Sequence, residues 1–151
     1  STSSLNDSNV TCLQNNCSTK KKKSRRYKGD FNEDGQRHGY GIYTSKNGNS
    51  YRGDWRNNKR EGLGVVKVGN GDIFEGQFEN NLKNGVGVYH YQDGECDLSR
   101  YENDHRVGNS IRWTADRKHS FLLQPDQPSV LEIPLAKAAS IAKKMGIVVA
   151  Y

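Results

Sequence analysis

The sequence predicts a mainly β fold, a single-layer antiparallel β-meander of stacked hairpins with a C-terminal helix as its cap. Three observations carry this. Residues 51–64, YRGDWRNNKREGLG, return in pattern as residues 74–87, FEGQFENNLKNGVG, and appear once earlier as residues 27–41. Fifteen glycines between Gly29 and Gly108 stand at fixed offsets from aromatic residues. Asn47-Gly48, Asn70-Gly71 and Asp93-Gly94 precede successive units, and such dipeptides favour the tight turns that join antiparallel strands. Self-similarity at a period of roughly 20 to 50 residues marks a repeat architecture in which neighbours bury what one unit cannot.

The units begin at Tyr27, Tyr51, Phe74 and Asp97, with steps of 24, 23 and 23 residues, and the extra residue of the first falls between Phe31 and Gly39. Side chains of a strand alternate between faces. Tyr51, Gly53 and Trp55 therefore share a face opposite Arg52 and Asp54, as Phe74, Gly76 and Phe78 oppose Glu75 and Gln77. A polar loop of about six residues is expected next. A second strand follows, with Gly62, Gly64 and Val66 on one face and Leu63 and Val65 on the other. Each unit is thus a hairpin, and the whole is a sheet of about eight strands that grows by roughly 10 Å per repeat. Glycine strands leave slots over which rings can lie. The platform comprises Tyr27, Gly29, Phe31, Gly39, Gly41, Tyr51, Gly53, Trp55, Gly62, Gly64, Phe74, Gly76, Phe78, Gly85, Gly87 and Tyr101, and its aromatic residues read first as core and second as ligand-binding rings. In the fourth unit Ser99 replaces a glycine, Tyr101 keeps the aromatic and Gly108 survives, while Asn109 and Ser110 replace the second half of Gly-x-Gly. Terminal repeats are commonly atypical because they close the stack.

Aromatic-x-Gly-x-aromatic, then a polar run, then Gly-x-Gly, resembles the MORN (membrane occupation and recognition nexus) repeat, with three good copies and one degenerate copy over residues 27 to about 119. The resemblance implies an interaction platform at membranes or on the cytoskeleton. Similar repeats precede catalytic domains in some phosphatidylinositol phosphate kinases and a histone methyltransferase. The roughly thirty residues after the array are too few for either catalytic domain.

After the sheet, residues 27–123, Pro125 and Pro128 mark a linker at 124–133. Residues 134–146 then read as a capping helix: proline in the first turn, Lys143 and Lys144 in the last, Gly146 just past it, and Leu135, Ala138, Ala139, Ala142 and Met145 on one stripe. Residues 147–151 form the C-terminal end. The alanine-rich stripe argues against strong lipid insertion.

Leu, Ile, Val and Phe together make up only 29 of 151 residues, too few for an ordinary thick core. Charge is unevenly placed. Residues 1–26 carry six basic residues against Asp7, a net +5, while residues 27–151 carry 17 basic against 16 acidic. The tail, polar and then basic, lacks the apolar surface to offset the entropy of ordering, so disorder is expected. Its run Lys20, Lys21, Lys22, Lys23, Arg25 and Arg26 has three readings: a solvated tail, an import or nucleic-acid patch, and a contact for acidic phospholipid. Ser24 within it is a candidate phosphosite.

Cys12, Cys17 and Cys96 and four scattered histidines lack metal-site spacing. No apolar run has the length of a membrane span, and no signal-peptide stretch opens the chain. Three Asn-x-Ser/Thr acceptors in the Asn/Ser-rich tail read as chance matches. A cytoplasmic setting follows, peripheral to membrane or cytoskeleton, with the nucleus as an alternative. The chain opens on Ser1, as a fragment or processed product would.

Neither Gly62-Leu63-Gly64 nor Gly85-Val86-Gly87 continues as a nucleotide loop, and no nucleophile stands in a catalytic context. The expectation is a non-catalytic protein-interaction scaffold with no cofactor and an unknown protein partner, nucleic acid being disfavoured. The alternatives are peripheral binding to anionic phospholipid and an accessory module of a truncated enzyme.

Overall fold

The computed structural model describes residues 26–147. The expectations for residues 1–25, including the basic run through Arg25 and Ser24, lie outside the described residues, as do residues 148–151.

The described chain is one open antiparallel sheet whose spatial order equals its sequence order: β1 Tyr27–Phe31, β2 Arg37–Thr44, β3 Ser50–Arg56, β4 Lys59–Lys67, β5 Ile73–Glu79, β6 Leu82–His90, β7 Cys96–Glu102, β8 His105–Trp113, β9 Ser120–Leu123 and β10 Leu131–Ile133. One helix, α1 Leu135–Lys144, follows with Pro134 at its N-cap position and Lys143 and Lys144 in its last turn. The strands number ten, not about eight. β10 lies within the span expected to be a linker, because three residues paired to β9 are too short to show alternation.

The polar loops are shorter than expected. Asn57 and Asn58, Asn80 and Asn81, and Asn103 and Asp104 all have positive φ, between 47° and 74°, so each hairpin closes on two residues and the strands extend into the polar run. Asn and Asp tolerate this left-handed conformation, which also matches the twist of the flanking strands. The first hairpin instead spans residues 32–36, where the Gln36 amide donates to Asn32 Oδ1 at 2.9 Å, and there the extra residue resides. Between units, Gly48, Gly71 and Gly94 hold the positive-φ turn position, and Arg117 takes it in the fourth connection at φ 60°.

Register aligns the glycines into a row. Gly29 pairs with Gly41, Gly41 with Gly53, Gly53 with Gly64, Gly64 with Gly76 and Gly76 with Gly87, spanning β1 to β6. The row ends where Gly87 meets Ser99. The other glycine of each Gly-x-Gly is not on this face. The strand register shifts beside it, and a Cβ on Gly62 would lie 2.9 Å from Asp54 Oδ2, one on Gly39 3.1 Å from Asp30 Oδ2, and one on Gly85 against Gln77. These three are bulge residues facing away from the rings, so the expected sharing of a face by Gly62 and Gly64 is corrected.

Each face has its own core. On one, Tyr27, Tyr51, Trp55, Phe74, Phe78 and Tyr101 are buried, with Tyr43, Val66 and Tyr89 beside them. On the other, α1 buries Ala138 and Ala142 against Cys96, Leu98, Ile111, Trp113 and Ile133. The helix therefore covers part of the second face instead of closing the end of the sheet, since Pro134 follows β10 directly and the chain turns back under the later strands.

A Cβ on Gly64 would overlap the Tyr51 ring, whose atoms are its three nearest neighbours. Gly64→Ala should lower stability by about 1–3 kcal/mol in thermal or urea melts. In a Tyr51→Ala background the same change should cost far less, because the overlapping ring is gone.

Candidate functional site

On the first face the rings form an unbroken edge-to-face zigzag. Centroid distances run Phe31–Tyr27 5.1 Å, Tyr27–Trp55 5.5 Å, Trp55–Tyr51 5.1 Å, Tyr51–Phe78 5.2 Å, Phe78–Phe74 5.6 Å and Phe74–Tyr101 5.2 Å. The leading ring of each unit lies over its own glycine pair, and the second ring of the next unit packs against it. Tyr27 and Tyr51 also donate their hydroxyls to the Asp30 and Asp54 carbonyls, at 2.9 and 2.8 Å. Trp55 Nε1 donates to the Gly41 carbonyl at 3.1 Å, across the unit boundary. Burial pushes the Tyr51 phenol up. Phe31 is the exception. Expected in the core, it is 49% exposed, because no earlier unit supplies a ring to meet it.

Sequence reading missed a second ladder. Arg37, Arg60, Lys83 and Arg106 recur every 23 residues, within the spans that the sequence predicts to be polar loops. In the structure the first three lie over rings: Arg37 Cζ is 4.3 Å from the Trp55 centroid, Arg60 Cζ 5.1 Å from Phe78 and Lys83 Nζ 4.6 Å from Phe74. Burial pushes the Lys83 ammonium below its ordinary value. Their backbone amides donate to Asn58, Asn81 and Asp104 Oδ1, each at 2.8 Å, so the turn of one hairpin is fastened to the strand of the hairpin before it. The constant offset was visible in the sequence. What concealed its meaning was the assumed loop.

Between Arg37 and Arg60 the rings and turns enclose an open cleft of about 520 Å³, lined also by Tyr43, Tyr51, Trp55, Asn58 and Asn81. It presents stacked cations and side-chain amide groups. Among the described residues no group of three or more His, Cys, Asp or Glu is placed to hold a metal, and no helix is long and apolar enough to cross a membrane.

The fourth unit changes three positions together. Asp97 stands where Tyr51 stands in the second unit, and Ser99 and Ser110 replace the glycine pair beneath it. With serine side chains in the slot a ring cannot lie down. Asp97 is instead fully buried and accepts from Arg112 Nε at 2.7 Å, Arg106 Nη1 at 3.0 Å and the Tyr91 hydroxyl at 2.8 Å. Burial alone would raise its carboxyl, but the Arg112 and Tyr91 hydrogen bonds and the charges of Arg112 and Arg106 outweigh it and hold the group below the usual carboxylate range.

The second face is covered by α1 only over its later strands. Over β2 to β5 it presents Tyr40, Ile42 and Leu63, exposed by 53%, 38% and 65%, with the half-buried Val65. Charged Arg52 and Glu75 pair with Val65 from either side, so apolar and charged strands alternate across the face. A shallow trough of about 240 Å³ runs here, floored by Gly53, Gly64 and Gly76.

Removing the Asp97 charge takes its anion from Arg106 and leaves Arg112 with Glu95 alone, 3.5 Å away. Asp97→Asn should cost roughly 3 kcal/mol at neutral pH. A depressed folded-state pKa gives stability that is present above the ordinary carboxylate value and lost as pH falls through the folded one. Wild type and variant should therefore converge in acid, which urea melts from pH 7 to pH 2 would show.

The family model described as the MORN repeat matches residues 27–50, 51–73 and 74–96. Comparison with curated proteins finds no match. The matched segments start at Tyr27, Tyr51 and Phe74, the three rings that lie over glycine pairs, and residues 27–96 of this chain are three consecutive MORN repeats.

Proposed function

We propose that the chain is a non-catalytic protein-interaction scaffold whose contact surface is the open half of the helix-bearing face, and that it receives an amphipathic helix of a partner protein. The observation that carries this is the exposure of Tyr40, Ile42 and Leu63 on a face whose other half is covered by α1. Large apolar side chains exposed together on one face of a folded domain mark interaction sites, and here they form two rows, Tyr40 with Ile42 and Leu63 with Val65, on either side of Arg52. The chain's own helix indicates which occupant suits the surface, since Ala138 and Ala142 bring its backbone close to the strands. Helix-in-groove recognition uses the same spacing of small and apolar anchors. The aromatic face is less suited, because its rings are buried against one another and under their cations.

Ile42→Asp with Leu63→Asp should leave the melting temperature nearly unchanged while lowering affinity for a helical partner at least tenfold. Isothermal titration with helices selected from a peptide library against the full chain would measure it. Equal affinity of wild type and variant would reject this surface.

A second reading, peripheral attachment to anionic phospholipid, is favoured by the cation ladder on the aromatic face together with the basic run of residues 20–26. The ladder cations are engaged with rings and turns, so retention would rest on the tail, at about 1 kcal/mol for each basic residue near the bilayer. Vesicles containing phosphatidylserine should retain the full chain, release it at high salt and fail to retain residues 27–151. Equal retention of the shortened chain would move the lipid site onto the sheet.

A further inference from the structure

Among the described residues β1 is the N-terminal edge of the sheet, and its sequence, Tyr27-Lys28-Gly29-Asp30-Phe31, reads as its own complement about Gly29. In antiparallel pairing, residues directly opposite share a face. Centring a second copy of β1 on Gly29 sets glycine against glycine, Phe31 against Tyr27 of the other copy on the aromatic face, and Lys28 against Asp30 of the other copy on the opposite face. Both charge pairs are then of opposite sign. We infer that the chain self-associates through this edge, β1 pairing antiparallel with β1 of a second copy so that two arrays form one continuous sheet.

Three further observations support a second copy as the occupant. Phe31 holds the position of Trp55, Phe78 and Tyr101 in their units, each of which meets the leading ring of the preceding unit at 5.2–5.5 Å, and Phe31 alone has no such ring. Residues 1–25 of the same chain contain no aromatic side chain that could supply one. The pairing also continues what the array does internally, since glycine already faces glycine across the first two unit boundaries, Gly41 with Gly53 and Gly64 with Gly76. The opposite edge, β10, has only three residues and is followed by Pro134, and short strands are poor templates for pairing. The inference is independent of the helix-binding surface proposed above.

Charge reversal tests it in the full chain. Lys28 and Asp30 are exposed, so substitution should leave the melting temperature and circular dichroism unchanged. Sedimentation equilibrium should show a concentration-dependent dimer for wild type. Lys28→Asp and Asp30→Lys should each weaken it by about tenfold or more, because like charges then face each other in both symmetric pairs. The double reversal, Lys28→Asp with Asp30→Lys, should restore it. A monomer at every concentration, a dimer indifferent to the single reversals, or a double reversal that fails to recover association would each overturn the inference. Hydrogen exchange on the wild type is the independent measurement. Amides of β1 should gain protection with rising concentration, and protection confined to β10 or to the faces would also overturn it.

Discussion

In each of the three matched repeats a ring lies across two facing glycines, and the rest of the sheet depends on that contact. A single layer cannot bury a residue between two sheets, so its apolar side chains must find cover from their own strands and neighbours. Glycine makes this feasible by removing the Cβ atoms that would hold the ring away from the backbone. Once a leading ring lies flat, its edge and upper face are available to the second ring of the next unit and to a cation from its own hairpin. Phe74 becomes 1% exposed in this way although, among the described residues, only neighbouring side chains lie above it. Ring, glycine pair and cation thus form one cooperative unit, and edge-to-face pairs of this kind contribute about 0.5–1.5 kcal/mol beyond their buried area.

The fourth unit shows the same constraint from the other side. Serine at the two slot positions and aspartate at the ring position occur together, because a filled slot excludes a ring and leaves a short acceptor as the residue that fits. The Arg106 that would otherwise lie over a ring becomes a hydrogen-bond donor, and Arg112 joins it. The network ends the zigzag on charged groups, beyond Tyr101.

Much of the fold could be read from sequence because the repeat displays its own alignment. Four units of nearly constant length specified the hairpins and the faces of Tyr51 and Trp55, and the helix after Pro134 showed in its own end signals, the proline in its first turn and Lys143 and Lys144 in its last. Other features failed to show for physical reasons. Asn57-Asn58 lacks the glycine that ordinarily announces a two-residue turn, so Lys59, Arg60 and Glu61 looked like loop when they begin β4. Gly62 and Gly64 have identical side chains, and only backbone conformation tells the bulge residue from the slot residue. The open patch of Tyr40, Ile42 and Leu63 follows the expected alternation, but which half of the face α1 would cover was not in the periodicity.

The placement of α1 makes the array unequal from end to end. Every pairing in the meander joins neighbours in sequence, so each contact closes only a short loop and cooperativity passes from one unit to the next. The C-terminal strands are sandwiched between a ring or ion network on one side and a helix on the other, whereas among the described residues β1 has one neighbouring strand and no helix over it. Order should therefore spread from the later hairpins toward the earlier ones during folding, and local opening should begin at β1 and β2. The molecule has a firm end and a yielding end. Opening of the yielding end would carry Tyr40 and Ile42 with it and leave the helix-bearing half intact.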